Sequence, residues 1–585
     1  MPTENPQQVH YPAGTAEYAT SRPRVLGWLR SAAILDGDWG TSVAYVLGLG
    51  FALAGYSSFW HLLAMLVLTS LVAINYVTIC RIYPNGGGVY SSVSHRSRLL
   101  AVIGALLLSA DYVVTMALSI LDSCHYFNLP DPVGFAIGFI LMIAAINWLG
   151  PKNSGGLALV ISGATVTTLL VIIVYSGPSA IRSASILPPE GGFVNNWGIF
   201  VGFVLSLSGI EAISNLTGLM KDPSRDPKKA ISTVLVKVIV VNVFLGLAML
   251  AIPAMIQGTH REDMIRFLGE YYVGHWFGWV VAFSIGTLLI SAGNTALNDL
   301  ISIQFLMSVD KELPTPLRRL NRHGVPILPL LLTTLAPILV LLAVRDFVTL
   351  SHLYAIGVVG AMVINLGSTS TDRTVSLKPL VRGFMIVSAT VLFFIELSIA
   401  VEKVEATIFA TIILIIGLGA RAIAQRRARA LPIPAPVSVA PVTIRKRRRP
   451  EMPTAKYLVA IKDKNDRLLR FALEEAKQRK ALLFVLRVKE ISVGVLPEKL
   501  SMSTNGVEEH IDQVCSEAGA DYQILSIPSY EVGYTIAEQA ATFGVDRVIL
   551  GATRRSVLEN MLRGSVMRSL SSYLPEDVQL IIFGG

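Results

Sequence analysis

"GDWGTSVAY", residues 37–45, sits in the middle of the first long apolar segment of the chain. Two glycines, an aspartate, a threonine and a serine are poor material for a helix in lipid. Each unsatisfied backbone group or charge there costs several kcal/mol unless something pairs with it. The stretch therefore predicts a helix broken within the bilayer, with carbonyls freed and side-chain oxygens gathered beside them.

The surrounding composition supports a membrane setting. Of 585 residues, 52% are hydrophobic and 15% charged, against about 25% charged in a soluble domain. The deficit lies in residues 1–420, which are mostly apolar runs. A spanning helix needs about 20 apolar residues, and twelve segments qualify: 31–53, 60–82, 99–127, 131–149, 155–176, 195–216, 231–256, 276–300, 325–343, 347–369, 381–400 and 404–422. The loops after even-numbered segments carry the positive charge, including Lys152, then Lys221, Arg225, Lys228 and Lys229, then Arg318, Arg319 and Arg322. The positive-inside rule then predicts a multi-pass protein of the plasma or inner membrane with both termini cytoplasmic. Residues 1–25 lack the apolar core of a signal peptide and are expected to be a cytoplasmic tail. Much of the net charge of +9 lies in these loops and in "IRKRRRP" (444–450), so it points to membrane lipid rather than nucleic acid. The three cysteines are far apart and imply no disulfide framework or metal cluster.

The expected domains are a tail over 1–25, a transmembrane domain over 26–422, a basic and proline-rich linker over 423–455, and a soluble domain over 456–585. In the last, "KYLVAI" (456–461), "LLFVLRV" (482–488), "DYQILSI" (521–527), "DRVILG" (546–551) and "VQLIIF" (578–583) read as strands separated by amphipathic helices. That alternation predicts a parallel sheet covered on both faces.

The sixth segment is interrupted like the first, at "SLSGIEAISN" (206–215). Segments five apart that share a break indicate two inverted five-helix repeats, with a binding site at the midplane. The third segment holds "ADYVVTMALS" (110–119), in which Asp111, Thr115 and Ser119 share one helical face. Ionisable residues within a span are functional candidates by default. Asp38, Asp111 and Glu211 are three such acids, and Tyr45 and Tyr354 add phenol oxygens. No Lys or Arg within the spans reads as their counter-ion, so the set suits a cation or a proton. Asp36 or Asp38 could instead cap a half-helix, Thr115 and Ser119 could bond their own backbone, and Tyr354 could be an ordinary core tyrosine.

These motifs resemble the amino acid–polyamine–organocation superfamily over about residues 25–420, supported by "DPSRDPKKAI" (222–231) and "SAGNTALNDL" (291–300). Within it, "GDWGTSVAY" is similar to the first-helix signature of KUP-type transporters. With "YPNGGGVY" (83–90), "DYVVTMALS" (111–119), "GIEAISN" (209–215) and "LYAIGV" (353–358), it is similar to KimA-type potassium importers. The resemblance implies an α-helical membrane fold of 12 transmembrane helices with LeuT-like 5+5 inverted repeats and broken helices 1 and 6. It implies K⁺/H⁺ symport, with K⁺ held by Asp38, Tyr45, Asp111, Thr115, Ser119, Glu211 and Tyr354, and Glu211, Asp38 and Asp111 coupling the proton. Potassium is the only metal expected. Amino-acid members usually carry a Gly-Ser-Gly-type turn where this chain has Asp38 and Thr41, and an acid there disfavours a carboxylate substrate.

"GATRRSVLENMLRGS" (551–565) resembles the nucleotide loop of universal stress proteins, with Gly551, Gly564 and Ser565 in place and Arg554 where a glycine is usual. The resemblance implies a universal-stress-protein-like regulatory domain that binds an adenine nucleotide (ATP, AMP or cyclic di-AMP) and forms a homodimer. No cofactor is required, and no catalytic constellation is present, so an enzyme is not expected. The rival readings are an amino-acid or polyamine permease of the same superfamily and a membrane-anchored nucleotide sensor.

Overall fold

The computed structural model describes residues 24, 26–84, 86, 88–150, 154–253, 260–430, 455–462, 466–491, 507–552, 560 and 564–584. Lys152, Arg554, residues 1–23 and the linker residues 431–454 lie outside the described residues. The chain forms two compact units, one of Arg24–Asn321 with Pro326–Ala428, the other mainly Arg429–Gly585.

The membrane unit is all helix. Nine described stretches are long and apolar enough to cross a membrane. One of them, Trp39–Ile82, is broken at Gly55 (φ +54), so it supplies the second half of segment 1 and all of segment 2. The shorter apolar helices Pro132–Trp148 and Ile327–Ala343 complete the twelve segments, as segments 4 and 9. Segment 12 (Val404–Ala430) runs past residue 422, because its last turns continue through basic residues that favour a helix.

Segments 1 and 6 are both interrupted. Segment 1 consists of helix Trp28–Asp36, a 3₁₀ turn Trp39–Thr41 and helix Ser42–Ala54. Segment 6 consists of helix Phe193–Gly202, a 3₁₀ turn Phe203–Leu207 and a short helix Ala212–Leu216. Gly209, in the second break, has φ +90, a conformation that favours glycine. Segment 1, buried throughout residues 31–51, and segments 3 (Arg98–Tyr126), 6 and 10 (Phe347–Thr371) are enclosed, whereas segment 12 is largely uncovered. Gly357 lets segment 10 lie close against segment 3: a Cβ there would stand 2.6 Å from the Asp111 nitrogen. Small residues at such crossings are how membrane helices approach closely.

The second unit is a five-stranded, fully parallel sheet in the order β3-β2-β1-β4-β5. The strands are β1 Lys456–Ile461, β2 Leu482–Glu490, β3 Tyr522–Ser529, β4 Arg547–Gly551 and β5 Gln579–Phe583. Helices Asp466–Gln478 and Val507–Ala518 cover one face through Leu469, Leu473 and Ile511. Helices Val532–Phe543 and Val566–Tyr573 cover the other through Ile536, Ala540 and Leu570. Burial on both faces explains why β1 and β2 read as continuous apolar runs rather than alternating ones.

Candidate functional site

The two helix breaks touch. A Cβ on Gly209 would lie 2.6 Å from the Trp39 Cα, so only glycine lets the break of segment 6 rest on that of segment 1. The Trp39 indole fixes the contact by donating from Nε1 to the Ser206 carbonyl at 3.2 Å. The Tyr126 hydroxyl donates to the Ala44 carbonyl at 2.9 Å and ties segment 3 to the second half of segment 1.

Asp38, Asp111 and Glu211 are all buried around this junction. Asp38 Oδ2, Asp111 Oδ2 and both Glu211 oxygens have no hydrogen-bond partner, and neither have the Ser206 and Ser208 hydroxyls on the break of segment 6. The three carboxyl groups lie within one another's electrostatic reach. Among the described residues no ion pair joins any of them to a Lys, Arg or His. They do not close on one point, since no described group of three such ligands could hold a single metal ion. Buried oxygens without donors are costly, more so for a charged group. The arrangement therefore suits cations or protons distributed along a polar seam.

The neutral oxygens divide. Thr115 donates to the Asp111 carbonyl at 2.9 Å and reaches Asp111 Oδ1 at 3.3 Å, so it bonds its own helix and the acid together. Ser119 is buried one turn further along the same face. Tyr45 and Tyr354 are buried beside each other, with Ser208 next to Tyr354. In the break of segment 1, Thr41 and Ser42 hydroxyls already donate to the carbonyls of Asp38 and Trp39. The seven residues named from the sequence are thus on segments that meet.

Two features were not read from the sequence. Lys237, inside segment 7, has its Nζ 2.6 Å from Asp36 Oδ1. It is a counter-ion within a span, but of Asp36, which was not among the three acids. The signal was present, because a lone lysine within a span must find a partner. It pairs with Asp36, not with the three acids, so Asp36 is an ion-paired residue rather than a helix cap. Asp299 of segment 8 also joins the cluster: Asn215 donates from Nδ2 to the Tyr112 hydroxyl at 2.9 Å and to Asp299 Oδ2 at 3.3 Å. Its signal was a polar residue in the run "SAGNTALNDL".

In the α/β unit, the chain turns to opposite sides of the sheet after β1 and after β4, and these two strands are neighbours. Ligands of open α/β sheets bind outside the carboxyl ends of strands at such a switch point. Gly551 ends β4 at that edge. Gly564 has φ +74 with open space where a Cβ would be, and Ser565 caps helix Val566–Tyr573 by accepting from the Arg568 nitrogen at 3.4 Å. Arg554, the fourth residue named from the sequence, is outside the described residues.

Broken helices at matching positions, an acid-lined seam between them and a separate doubly wound sheet define a multi-pass membrane protein with an appended α/β domain. Residues 26–418 match the amino acid permease family, and the chain belongs to that family. Residues 455–581 match the universal stress protein family. The chain is 30% identical over 205 residues to the L-methionine/branched-chain amino acid exporter YjeH of Escherichia coli, covering 33% of this chain and 48% of that one. It is 24% identical over 320 residues to the potassium transporter KimA of Bacillus subtilis, covering 49% and 51%. The chain thus spans about half the length of these curated relatives. A universal stress protein solved in complex with cAMP aligns with 22% of this chain and 96% of its own, at 16% identity and a TM-score of 0.19.

Proposed function

We propose that the protein is a secondary active potassium importer that moves K⁺ together with protons. The observation that carries this reading is the set of unpartnered carboxyl oxygens of Asp38, Asp111 and Glu211 at the meeting of the two breaks. An amino-acid substrate brings its own carboxylate to this place, where three acids would repel it. A K⁺ ion suits the seam: at each point along it a single carboxylate with neighbouring oxygens from Thr115, Ser119, Tyr45 or Tyr354 replaces part of its water. Glu211 is the proton-coupling acid, with Asp38 and Asp111 in support. Segments 1 and 6 open and close around the ion, both termini face the cytoplasm, and the soluble domain dimerises and binds an adenine nucleotide that regulates transport.

Uptake of ⁸⁶Rb⁺ into liposomes containing the purified protein tests this. Uptake is faster when the outside is acidic. The second reading is an amino-acid or polyamine permease, favoured by the family and by the similarity to an amino-acid exporter. Uptake of labelled methionine, leucine or putrescine with none of Rb⁺ selects that reading.

A further inference from the structure

One acid of segment 3 has no part in the site above. Asp122 follows Asp111 by about three helical turns, so it continues the face that carries Asp111, Thr115 and Ser119. It is fully buried, and neither of its carboxyl oxygens has a partner. The charged groups around it are engaged elsewhere. Glu262 Oε2 lies 2.7 Å from His125 Nδ1, and Asp263 Oδ1 lies 2.9 Å from His260 Nδ1. Arg266 donates from Nη1 to the Tyr126 carbonyl at 3.1 Å and from Nε to Glu270 Oε1 at 3.0 Å. Tyr45 lies within electrostatic reach of both Asp38 and Asp122. The fold provides a carboxylate with no donor, at one end of a row of oxygens about 16 Å long at 1.5 Å per residue. The other end of that row is the seam between the broken helices.

We infer that Asp122 forms a second monovalent-cation site, from which the ion passes along Ser119 and Thr115 to Asp111 at the helix breaks. A single carboxylate with neutral oxygens suits one positive charge, whereas Ca²⁺ takes six to eight oxygen ligands and usually several carboxylates. The site shortens the step between water and the seam, because a cation crossing apolar surroundings needs an oxygen at each stage. Asp122 differs from Asp111 in its work: it loads the row and takes no part in the coupling at Glu211.

This inference rests on the potassium reading. The test uses the purified full-length protein, with ⁸⁶Rb⁺ as the probe in equilibrium binding and in liposome uptake. Wild type binds one Rb⁺ more per chain than Asp122→Asn. The variant keeps a maximal uptake rate within about twofold of wild type while its KM for Rb⁺ rises about tenfold, the loss of one contact of about 1.4 kcal/mol. Asp122→Glu restores the KM. Asp111→Asn, by contrast, loses uptake. Wild-type protein that binds a single Rb⁺ overturns the second site without recourse to any variant. Asp122→Asn with wild-type KM and stoichiometry overturns it too, and leaves the potassium reading standing. Wild type that neither binds nor transports Rb⁺ overturns both.

Discussion

Lys237 Nζ lies 2.6 Å from Asp36 Oδ1, and Ser162 donates to Asp36 Oδ2 at 2.6 Å. Three elements distant in sequence, segments 1, 5 and 7, are thereby joined at the last residue of the first half of segment 1. Lys237 also reaches the Gly40 carbonyl at 3.5 Å, across the break. Both charges are largely buried. The pair holds the end of the first half-helix against segments 5 and 7.

Removing one partner of such a pair leaves an uncompensated buried charge, which costs about 3–5 kcal/mol. Lys237→Met therefore lowers the thermal unfolding temperature of the detergent-solubilised protein. Asp36→Asn with Lys237→Met removes both charges and recovers most of the loss. A double variant as unstable as the single one would show that packing, not charge, is what Lys237 supplies.

Asp38→Asn and Asp111→Asn change charge with little change in shape. Each lowers ⁸⁶Rb⁺ uptake by about tenfold or more, the effect of losing one charge-assisted contact of about 1.5–3 kcal/mol. Glu211→Gln flattens the dependence of uptake on external pH more than it weakens stabilisation by K⁺ against heating. A pH profile for Glu211→Gln identical to wild type moves the coupling to another acid.

Gly209→Ala places a methyl group against the Trp39 backbone at a residue with φ +90. The backbone conformation alone costs an L-residue about 1–2 kcal/mol, and the two breaks must also separate. Expression at the membrane with loss of uptake is the expected outcome. Wild-type transport by this variant would show that the breaks need not touch.

Asp372, just beyond segment 10, has its carboxyl held well below the usual carboxylate range. His95 Nε2 at 2.6 Å is the main cause, followed by the Thr374 hydroxyl and backbone N–H. A carboxyl whose folded value is depressed stabilises the fold fully above its unfolded value, near 3.9, and loses that contribution as the pH falls through the folded value. Asp372→Asn thus unfolds at a lower temperature than wild type at pH 7, and the gap persists down to about pH 4 before closing. Unfolding curves of both proteins across that range decide it. A gap that has already closed by about pH 5 shows that the Asp372 carboxylate is not its source.

Gly564→Asp puts a side chain and a negative charge on a left-handed residue of the loop that resembles the nucleotide loop of universal stress proteins. It weakens adenine-nucleotide binding by the fragment 453–585, measured by calorimetry with ATP, AMP and cyclic di-AMP. No heat from the folded wild-type fragment with any of the three overturns the nucleotide reading of this domain.

Local chemistry made much of this protein legible from its sequence. Glycines and oxygens inside apolar runs disclose the breaks at 37–45 and 206–215, because a helix in lipid has no water to satisfy what it frees. Alternating short apolar strands and amphipathic helices disclose the parallel sheet, because two covered faces demand that pattern. What only the tertiary structure decided was pairing across distance. Nothing near Lys237 in the chain shows that it meets Asp36, two hundred residues earlier, and nothing near Gly209 shows that it must clear the backbone of Trp39. Asp111 and Asp122 look alike as acids in one helix. The structure separates them, since Thr115 bonds to the first and the second has no partner at all. Periodicity fixes which face of a helix a residue occupies, but which partner covers that face is set by packing among segments far apart in the chain.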